Sequence, residues 1–320
     1  MEARRAIAQF VRDRPVLWDL FHPTYDRFRQ FFRDARIRRL GDRLAPSDAA
    51  GHALLAEAIL RGGPLGVGKI GGLEAEAAGF FLSGRPRGKP YPERLRRQMF
   101  LNVGLFPVDD GSLDRFCAAL IEAAGQLDIL GLMGFSGESE VLSQHAKTAR
   151  LISLRALDPW NFPDPWSRHL QGRRVTVLSP FAATIGRQFQ RRSEIWPGRD
   201  VLPDFQLRTV TMPLSPGLKR PAEASWEARL DAVKAAIDAE PYDVVLAGAG
   251  GISILIAAHV RRAGGIGFHM GGPTQVLFGV RGRRWENEPV LTQAVNAAWV
   301  RPSGEEAPPA ASQIERGAYW

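Results

Sequence analysis

Two glycine turns in the last third of the chain have the residue pattern of a phosphate site. Gly248, Gly250 and Gly251 follow the apolar run VVLA, and Gly271 and Gly272 follow the run IGFHM. A glycine at the end of a strand permits a tight reversal, and the next helix points its unpaired N–H groups and the positive end of its dipole at an anion. The spacing therefore predicts that both turns line a phosphate-binding edge.

The first turn departs from the fingerprint of a dinucleotide-binding protein. That fingerprint is G-x-G-x-x-G after a strand, with an acidic residue about twenty positions later for the ribose. Ser253 stands at the third glycine position, and the next predicted strand ends at His269-Met270-Gly271-Gly272 without an acid. We therefore expect no NAD, and a phosphate or nucleotide ligand of another kind.

The residues around the second turn add groups that could recognise such a ligand. Pro273 is suited to begin a helix, which places Gln275 in its first turn, where an amide can hydrogen-bond a base or a sugar. His269, at the end of the preceding strand, is the histidine that we expect to touch the substrate.

An arginine cluster follows in the segment VRGRRW. Arg281, Arg283 and Arg284 offer planar cations to a diphosphate, and Trp285 offers an aromatic face to a ring. The alternative is a solvated basic helix end, which the helix dipole favours in any protein. Both interpretations stay open at this point.

A carboxylate follows the first apolar run, in GKIGGLEAE. Gly71 and Gly72 end the run and Glu74 begins a helix, so Glu74 could bind a divalent metal or act as a base. An acidic residue is also common at any helix N-terminus, which is the structural alternative.

A further strand end, in VLSPFAATIG, extends the predicted binding edge. It contributes Pro180, Phe181 and Thr184. Core packing would also explain Phe181, so the evidence for a binding role is weaker here than at the other three strand ends.

These turns require a sheet whose strands all end at one edge. Short runs rich in Val, Ile and Leu alternate with segments of helical periodicity; the runs are Leu65–Ile70, Ile129–Met133, Leu151–Leu154, Val175–Ser179, Leu207–Met212, Val244–Ala247 and Ile266–Met270. This pattern predicts an α/β fold with a mostly parallel sheet and helices on both faces. Ligands of such sheets bind beyond the carboxyl ends of the strands.

The chain divides into three predicted parts. Residues 1–50 form an N-terminal helical segment rich in aromatics and arginines, which fits a packed helical cap or a helix at a membrane surface. Residues 51–300 form the α/β domain, in which Leu157–Leu170 bridges the two halves of the sheet. Residues 301–320 hold a flexible linker over Pro302–Ala311 and a tail, IERGAYW, that we expect to dock over the crevice.

Composition restricts the class of protein. The net charge of +8 suits nucleic acid, an acidic membrane surface or a phosphorylated ligand, but a nucleic-acid recognition motif is missing, so we expect no nucleic-acid partner. The single cysteine, Cys117, lies in an apolar helical context that predicts a buried thiol in a reducing compartment. No signal peptide or transmembrane helix is predicted, which favours a cytoplasmic protein, with peripheral contact at the inner face of the membrane as an option.

Four segments together resemble a known family. They are GKIGGLEAE, the stretch from LDPWNF to TIGRQF, the stretch from YDVVLAG to VRGRRW, and IERGAYW. They are similar to bacterial proteins with a GT-D type glycosyltransferase fold, many of which are encoded among polysaccharide biosynthesis genes. The resemblance implies a Rossmann-like sheet that binds a nucleotide-sugar donor and transfers the sugar to a glycan or glycolipid acceptor.

One position departs from the family pattern. A D-x-E motif serves a divalent metal and the nucleotide-sugar in this family; Glu74 matches the Glu, whereas Gly72 stands at the Asp. Three arrangements stay open: Mn²⁺ or Mg²⁺ held by Glu74 and the diphosphate, the arginine cluster in place of a metal, or a protein without transfer activity. The leading expectation is a glycosyltransferase in which Glu74 is metal ligand or base. The alternative is an inactive nucleotide-sugar-binding or scaffold protein.

Overall fold

The computed structural model describes residues 37, 40–212, 222–309 and 311–320. Most of the predicted N-terminal helical segment, 1–50, lies outside these residues, and with it the proposed membrane contact. Its described end forms a short 3-10 turn, Gly41–Arg43, and then the first residues of helix α1.

One sheet of seven parallel strands organises the described part of the chain. The strands are β1 (Leu65–Lys69), β2 (Ile129–Leu132), β3 (Arg150–Ser153), β4 (Arg174–Ser179), β5 (Gln206–Thr211), β6 (Val244–Ala247) and β7 (Ile266–His269). Their spatial order is β3-β2-β1-β7-β6-β4-β5. All seven predicted runs are strands, and their ends differ from the prediction by a single residue at most.

Helices connect the strands and cover both faces of the sheet, as predicted. They are α1 (Asp48–Arg61), α2 (Gly72–Ser83), α3 (Glu93–Gln98), α4 (Asp110–Gln126), α5 (Ser136–Gln144), α6 (Leu154–Leu157), α7 (Ala182–Phe189), α8 (Arg192–Ile195), α9 (Trp226–Asp238), α10 (Ser253–Arg262), α11 (Pro273–Leu277) and α12 (Pro289–Ala294). Side-chain caps start several of them: Ser47 accepts from the N–H of Ala50 at 3.1 Å, and Asp109 from that of Ser112 at 2.9 Å.

Two hydrophobic clusters lie on opposite faces of the sheet. Helices α2, α4, α5, α9 and α10 bury their apolar residues in one cluster, and α1, α6, α7 and α11 in the other. Alternate residues of a strand serve the two clusters; in β6, Val244 and Leu246 pack on one side and Val245 and Ala247 on the other. Burial on both faces explains why the strands appear in the sequence as continuous apolar runs.

The segment Leu157–Leu170 connects edge strand β3 to β4 in the other half of the sheet, as its position predicts. Trp166 anchors it: the side chain is fully buried, its Nε1 donates to the carbonyl oxygen of Leu157 at 2.8 Å, and its ring packs against Phe268 of the central strand β7. The crossover therefore packs beneath the centre of the sheet.

The connections reverse direction at the centre of the sheet. Strands β1 and β7 are neighbours, yet α2, which follows β1, and α11, which follows β7, pack on opposite faces. A crevice opens between two such connections, at the carboxyl ends of the strands.

The predicted linker, 302–311, makes specific contacts in its described part, and here the structure differs from the expectation of flexibility. Glu306 caps a 3-10 turn, Gly304–Glu306, and its carboxylate accepts from the backbone N–H of Thr184 at 3.0 Å and from the Thr184 hydroxyl. These hydrogen bonds fix the segment to α7, which composition alone does not reveal. In the described residues, no helix combines the length and apolarity needed to cross a bilayer.

Candidate functional site

A crevice of about 560 Å³ lies at the carboxyl ends of the central strands. The strand ends supply Lys69 from β1, Ser179 from β4 and His269 from β7, and the turn after β6 supplies Gly248. Helix α2, the region around α3 and the C-terminal tail form the walls. The volume is that of a typical small-molecule site.

Most of the residues predicted for the binding edge line this crevice. They are Gly71, Gly72, Glu74, Pro180, Phe181, Gly248, Gly250, His269, Gly271, Gly272, Gln275 and Arg284. The remaining five predicted residues, Thr184, Gly251, Arg281, Arg283 and Trp285, do not line it.

The arginine cluster is divided by its local backbone. Arg281 lines a separate cavity of about 270 Å³ together with Trp285, and Arg283 is exposed to solvent. Only Arg284 of the three reaches the crevice. A 3-10 turn, Arg283–Trp285, rotates successive side chains by about 120°, so neighbours in the sequence point to different surfaces.

The other two excluded residues have structural roles. Thr184 is buried and bonded to Glu306, as described above. Gly251 packs against Val103 at the start of the turn before α10. Both face the protein interior rather than a ligand.

Glu74 lies in the first turn of α2 and folds back over the turn that precedes it. Its Oε2 is 2.3 Å from the point where a Cβ on Gly71 would stand, so any side chain at that position would displace the carboxylate. Burial raises the pKa of Glu74, the Glu315 carboxylate raises it further, and the Lys69 ammonium opposes the shift. A half-buried carboxylate with a raised pKa is suited to accept a proton.

The position of the missing Asp is filled from a neighbouring loop. A Cβ on Gly72 would stand 3.0 Å from Cζ of Phe135, whose ring occupies the space that an Asp side chain would need. Phe135 precedes α5 and is itself 37% exposed toward the crevice. The described residues contain no group of three or more His, Cys, Asp or Glu side chains placed to hold a metal ion. The protein therefore forms no closed metal site here, and an ion such as Mg²⁺ would need the phosphates of the ligand beside Glu74.

Lys69 is a crevice residue that the sequence analysis did not identify. Its Nζ lies 3.7 Å from the point where a Cβ on Gly271 would stand. Burial lowers the pKa of Lys69, and the nearby Asp158 partly restores it. The sequence signal was a single charged residue between an apolar strand and a glycine turn, in LGVGKIGG.

His269 is held in its neutral form. Burial lowers its pKa to about 3, and the Lys69 ammonium contributes to the shift. At physiological pH the imidazole therefore offers one donor and one acceptor but no charge.

Three polar atoms in the crevice walls have no hydrogen-bond partner among the described residues. They are Nδ1 of His269, Oγ1 of Thr274 and Oε1 of Gln275, each on a side chain at least nine-tenths buried. The amide nitrogen of Gln275 is bonded, to the carbonyl oxygens of Val280 and Tyr319 at 3.2 Å each. Buried polar atoms without partners are rare, and a bound ligand would satisfy them.

The C-terminal tail forms one wall of the crevice. Glu315 and Tyr319 line it, and the Glu315 carboxylate accepts from Nη1 of Arg284 at 3.0 Å. The Trp320 ring meets Phe181 edge-on, with centroids 6.0 Å apart. Glu315 (φ 46°) and Arg316 (φ 60°) both have left-handed backbones, a strain that the tail contacts must offset.

Comparison with family models, curated proteins and solved structures found no match to this chain.

Proposed function

We propose that this protein is a glycosyltransferase that binds a nucleotide-sugar in the crevice and transfers the sugar to a glycan or glycolipid acceptor. The observation that carries the proposal is the set of unpartnered polar atoms, on His269, Thr274 and Gln275, in the crevice that Glu74 lines. They supply hydrogen bonds for a polar ligand, and the resemblance of four sequence segments to GT-D type proteins supplies its class. Cell-surface polysaccharide synthesis is the process that this resemblance favours.

The reaction needs a base and a means of stabilising the leaving group. The acceptor hydroxyl would lose its proton to Glu74 while its oxygen bonds to the anomeric carbon of the donor. The bond from that carbon to the phosphate oxygen breaks, and its electron pair goes to the nucleoside diphosphate. Cationic side chains and backbone N–H groups of the glycine turns stabilise the charge that develops there.

In GT-D type proteins a divalent cation takes part in this step, but the scheme proposed here does not depend on one. Gly72 offers no ligand, the Phe135 ring fills the space beside it and the described residues form no metal-binding group.

A second candidate is an inactive protein that binds a nucleotide-sugar. It is favoured by the position of the Glu74 carboxylate, which folds over Gly71 as a helix-terminal acid does. In this case the crevice would hold the donor, and no bond to the sugar would break.

The deciding experiment measures binding and turnover separately. The full chain is titrated with UDP-, GDP- and dTDP-sugars by calorimetry, and release of nucleoside diphosphate is followed with added glycan and glycolipid acceptors. We expect binding of at least one donor, turnover, and a loss of turnover of about 10²- to 10⁴-fold in Glu74→Gln with donor binding retained.

The possible results separate the two candidates. Donor binding without turnover across the acceptor panel would favour the inactive binder. An absence of binding to every donor would contradict both.

A further inference from the structure

We infer that Lys69, rather than a divalent cation, supplies the positive charge that binds the diphosphate of the ligand in this crevice. The identity of that ligand as a nucleotide-sugar rests on the proposed function, whereas the anion site itself rests on the geometry around Lys69.

Lys69 lies between the turn Gly71-Gly72, which follows β1, and the turn Gly271-Gly272, which follows β7. It ends β1, so Gly71 comes two residues later in the chain, and β7 is the neighbouring strand. The turn after β7 brings Gly271 beside Nζ, which lies 3.7 Å from the place of a Cβ there. A phosphate at this point would meet the ammonium group and the backbone of both turns.

Lys69 differs from the other crevice cations because the carboxylates that act on it, those of Asp158, Glu74 and Glu315, do so only at longer range. The described crevice has three cationic side chains, on Lys69, Arg94 and Arg284. Arg94 is paired with Glu76, and Arg284 with Glu315 at 3.0 Å. No carboxylate of the described residues lies within ion-pair distance of Lys69. A half-buried ammonium without a close ion pair is costly, and an anionic ligand beside it would lower that cost.

The residues around Lys69 fit an anion better than a metal. The space beside Gly72 is filled by Phe135. Two of the acids that line the crevice, Glu76 and Glu315, are paired with arginines, and Glu74 is in no ion pair of the described residues. A divalent cation placed against Glu74 would also be repelled by the ammonium, whose field already contributes to the low pKa of His269.

An independent observation also indicates a ligand. Thr274 is 1% exposed, lines the crevice on α11 and leaves Oγ1 without a partner in the described part of the protein. A hydroxyl can donate to a phosphate oxygen, and Oγ1 lies 2.7 Å from the point where a Cβ on Gly248 would stand, beside the glycine turn that follows β6.

The test measures anion binding to the full chain by calorimetry, with EDTA present. The probes are inorganic pyrophosphate, UDP, GDP and dTDP. We expect the wild-type protein to bind pyrophosphate and at least one nucleotide in EDTA. Lys69→Met should weaken binding about 10- to 100-fold, the loss expected for one charge-assisted hydrogen bond. Lys69→Arg, which keeps the charge, should retain more of the affinity.

Lys147→Met is the matched control, because Lys147 is exposed and does not line the crevice. Its affinities should equal those of the wild type. The melting temperature of each variant shows whether it is folded. We expect Lys69→Met to melt no lower than the wild type, because the substitution removes an ammonium group that has no close ion pair. If Lys69→Met nevertheless unfolds, the test is the salt dependence of the wild-type affinity in EDTA. We expect this affinity to fall with added salt, as it does for an ionic contact.

Three results would overturn the inference: nucleotide binding that requires Mn²⁺, equal affinities in Lys69→Met and wild type, or no binding of any probe. Pyrophosphate contains no sugar, so its binding through Lys69 without turnover of any donor would defeat the proposed function and leave this inference standing. Turnover that requires Mn²⁺ and is unchanged in Lys69→Met would support the proposed function and contradict this inference.

Discussion

The two ends of the sheet have cavities of nearly equal size, but the charged and polar groups around them are paired to different extents. The cavity at the amino ends measures about 530 Å³, against about 560 Å³ for the crevice at the carboxyl ends. At the amino ends the charged groups are paired: Asp243 accepts from the Arg174 backbone N–H at 2.8 Å and binds its guanidinium, and Asp238 is 2.8 Å from His259. At the carboxyl ends three buried polar atoms of the crevice have no hydrogen-bond partner among the described residues, and Lys69 has no close ion pair there.

The difference shows that volume alone does not mark a binding site in this fold. A cavity whose polar groups bond to each other has little to gain from a ligand, whereas unpaired buried groups keep an energetic cost that a ligand removes. We therefore expect the amino ends to contribute mainly to stability and, under the proposed function, the polar groups at the carboxyl ends to contribute to binding. Variants at the two ends should separate stability from ligand affinity.

The largest effect should come from the C-terminal tail, which packs against the carboxyl end of the sheet through buried side chains and an ion pair. Deleting residues 312–320 removes Ile314, which is 1% exposed, and the partners of Arg284 and Gln275. We expect the free energy of unfolding to fall by about 2–5 kcal/mol, the usual cost of losing one large buried side chain. Chemical denaturation measures this, and calorimetry with the probes above measures the accompanying loss of ligand affinity.

A matched variant separates the two roles of the tail. Ile314→Ala keeps Glu315 and Tyr319, so it should lose stability with a smaller loss of affinity than the deletion. If the deletion leaves both the melting temperature and the affinity unchanged, the tail does not belong to the site.

An intermediate effect is expected at the amino ends. Asp128 accepts from the buried N–H of Gly66 at 2.8 Å and from Nε of Arg261 at 2.7 Å. Asp128→Ala leaves that N–H without a partner and should cost about 1–3 kcal/mol in the free energy of unfolding. Asp128→Asn, which keeps an acceptor oxygen, should cost less. Neither variant should change the affinity for pyrophosphate, in contrast to Lys69→Met; a parallel loss of affinity would show that the ends are coupled.

The sheet was predictable because its strands are buried on both faces. Val244–Ala247 appears in the sequence as an unbroken apolar run, and the prediction matches its bounds. Since parallel strands end together, the glycine turns after Ala247 and His269 were also expected at one edge, and both line the crevice. The buried state of Cys117 followed from its apolar helical context and is confirmed.

The individual side chains of the site were harder to predict. Arg281, Arg283 and Arg284 are equivalent by composition, and only the 3-10 geometry shows that Arg284 alone reaches the crevice. Lys69 and Glu315 lie in two of the segments that carry the family resemblance, but no spacing rule singles them out, because their importance comes from neighbours that are distant in the chain. Sequence patterns report periodic burial, whereas the pairing of charges depends on the tertiary arrangement.

The smallest effect should be a pH dependence centred on Asp158, a carboxyl near Lys69 that has no ion pair among the described residues. Burial raises its pKa to about 7, although Lys69 acts in the opposite direction. An acid with a raised pKa in the native state stabilises the fold while it stays protonated, so this contribution is present below about pH 4 and is lost as the pH rises toward 7. Paired acids such as Asp243, whose pKa is lowered by Arg174, act in the opposite sense and only at lower pH.

The interval from pH 5 to 7.5 covers this loss, but His269, whose pKa burial lowers to about 3, acts in the opposite sense over the same interval. The contribution of Asp158 is therefore the difference between two curves: relative to Asp158→Asn, which cannot ionise at this position, we expect the wild-type melting temperature to fall as the pH rises. In Lys69→Met the fall should move to higher pH, because the neighbouring cation that favours the ionised carboxyl is gone. Scanning calorimetry of the three proteins in matched buffers measures the curves. Parallel curves for wild type and Asp158→Asn would mean that Asp158 is compensated in solution, and the contrast between the two ends of the sheet would then rest on the remaining groups of the crevice.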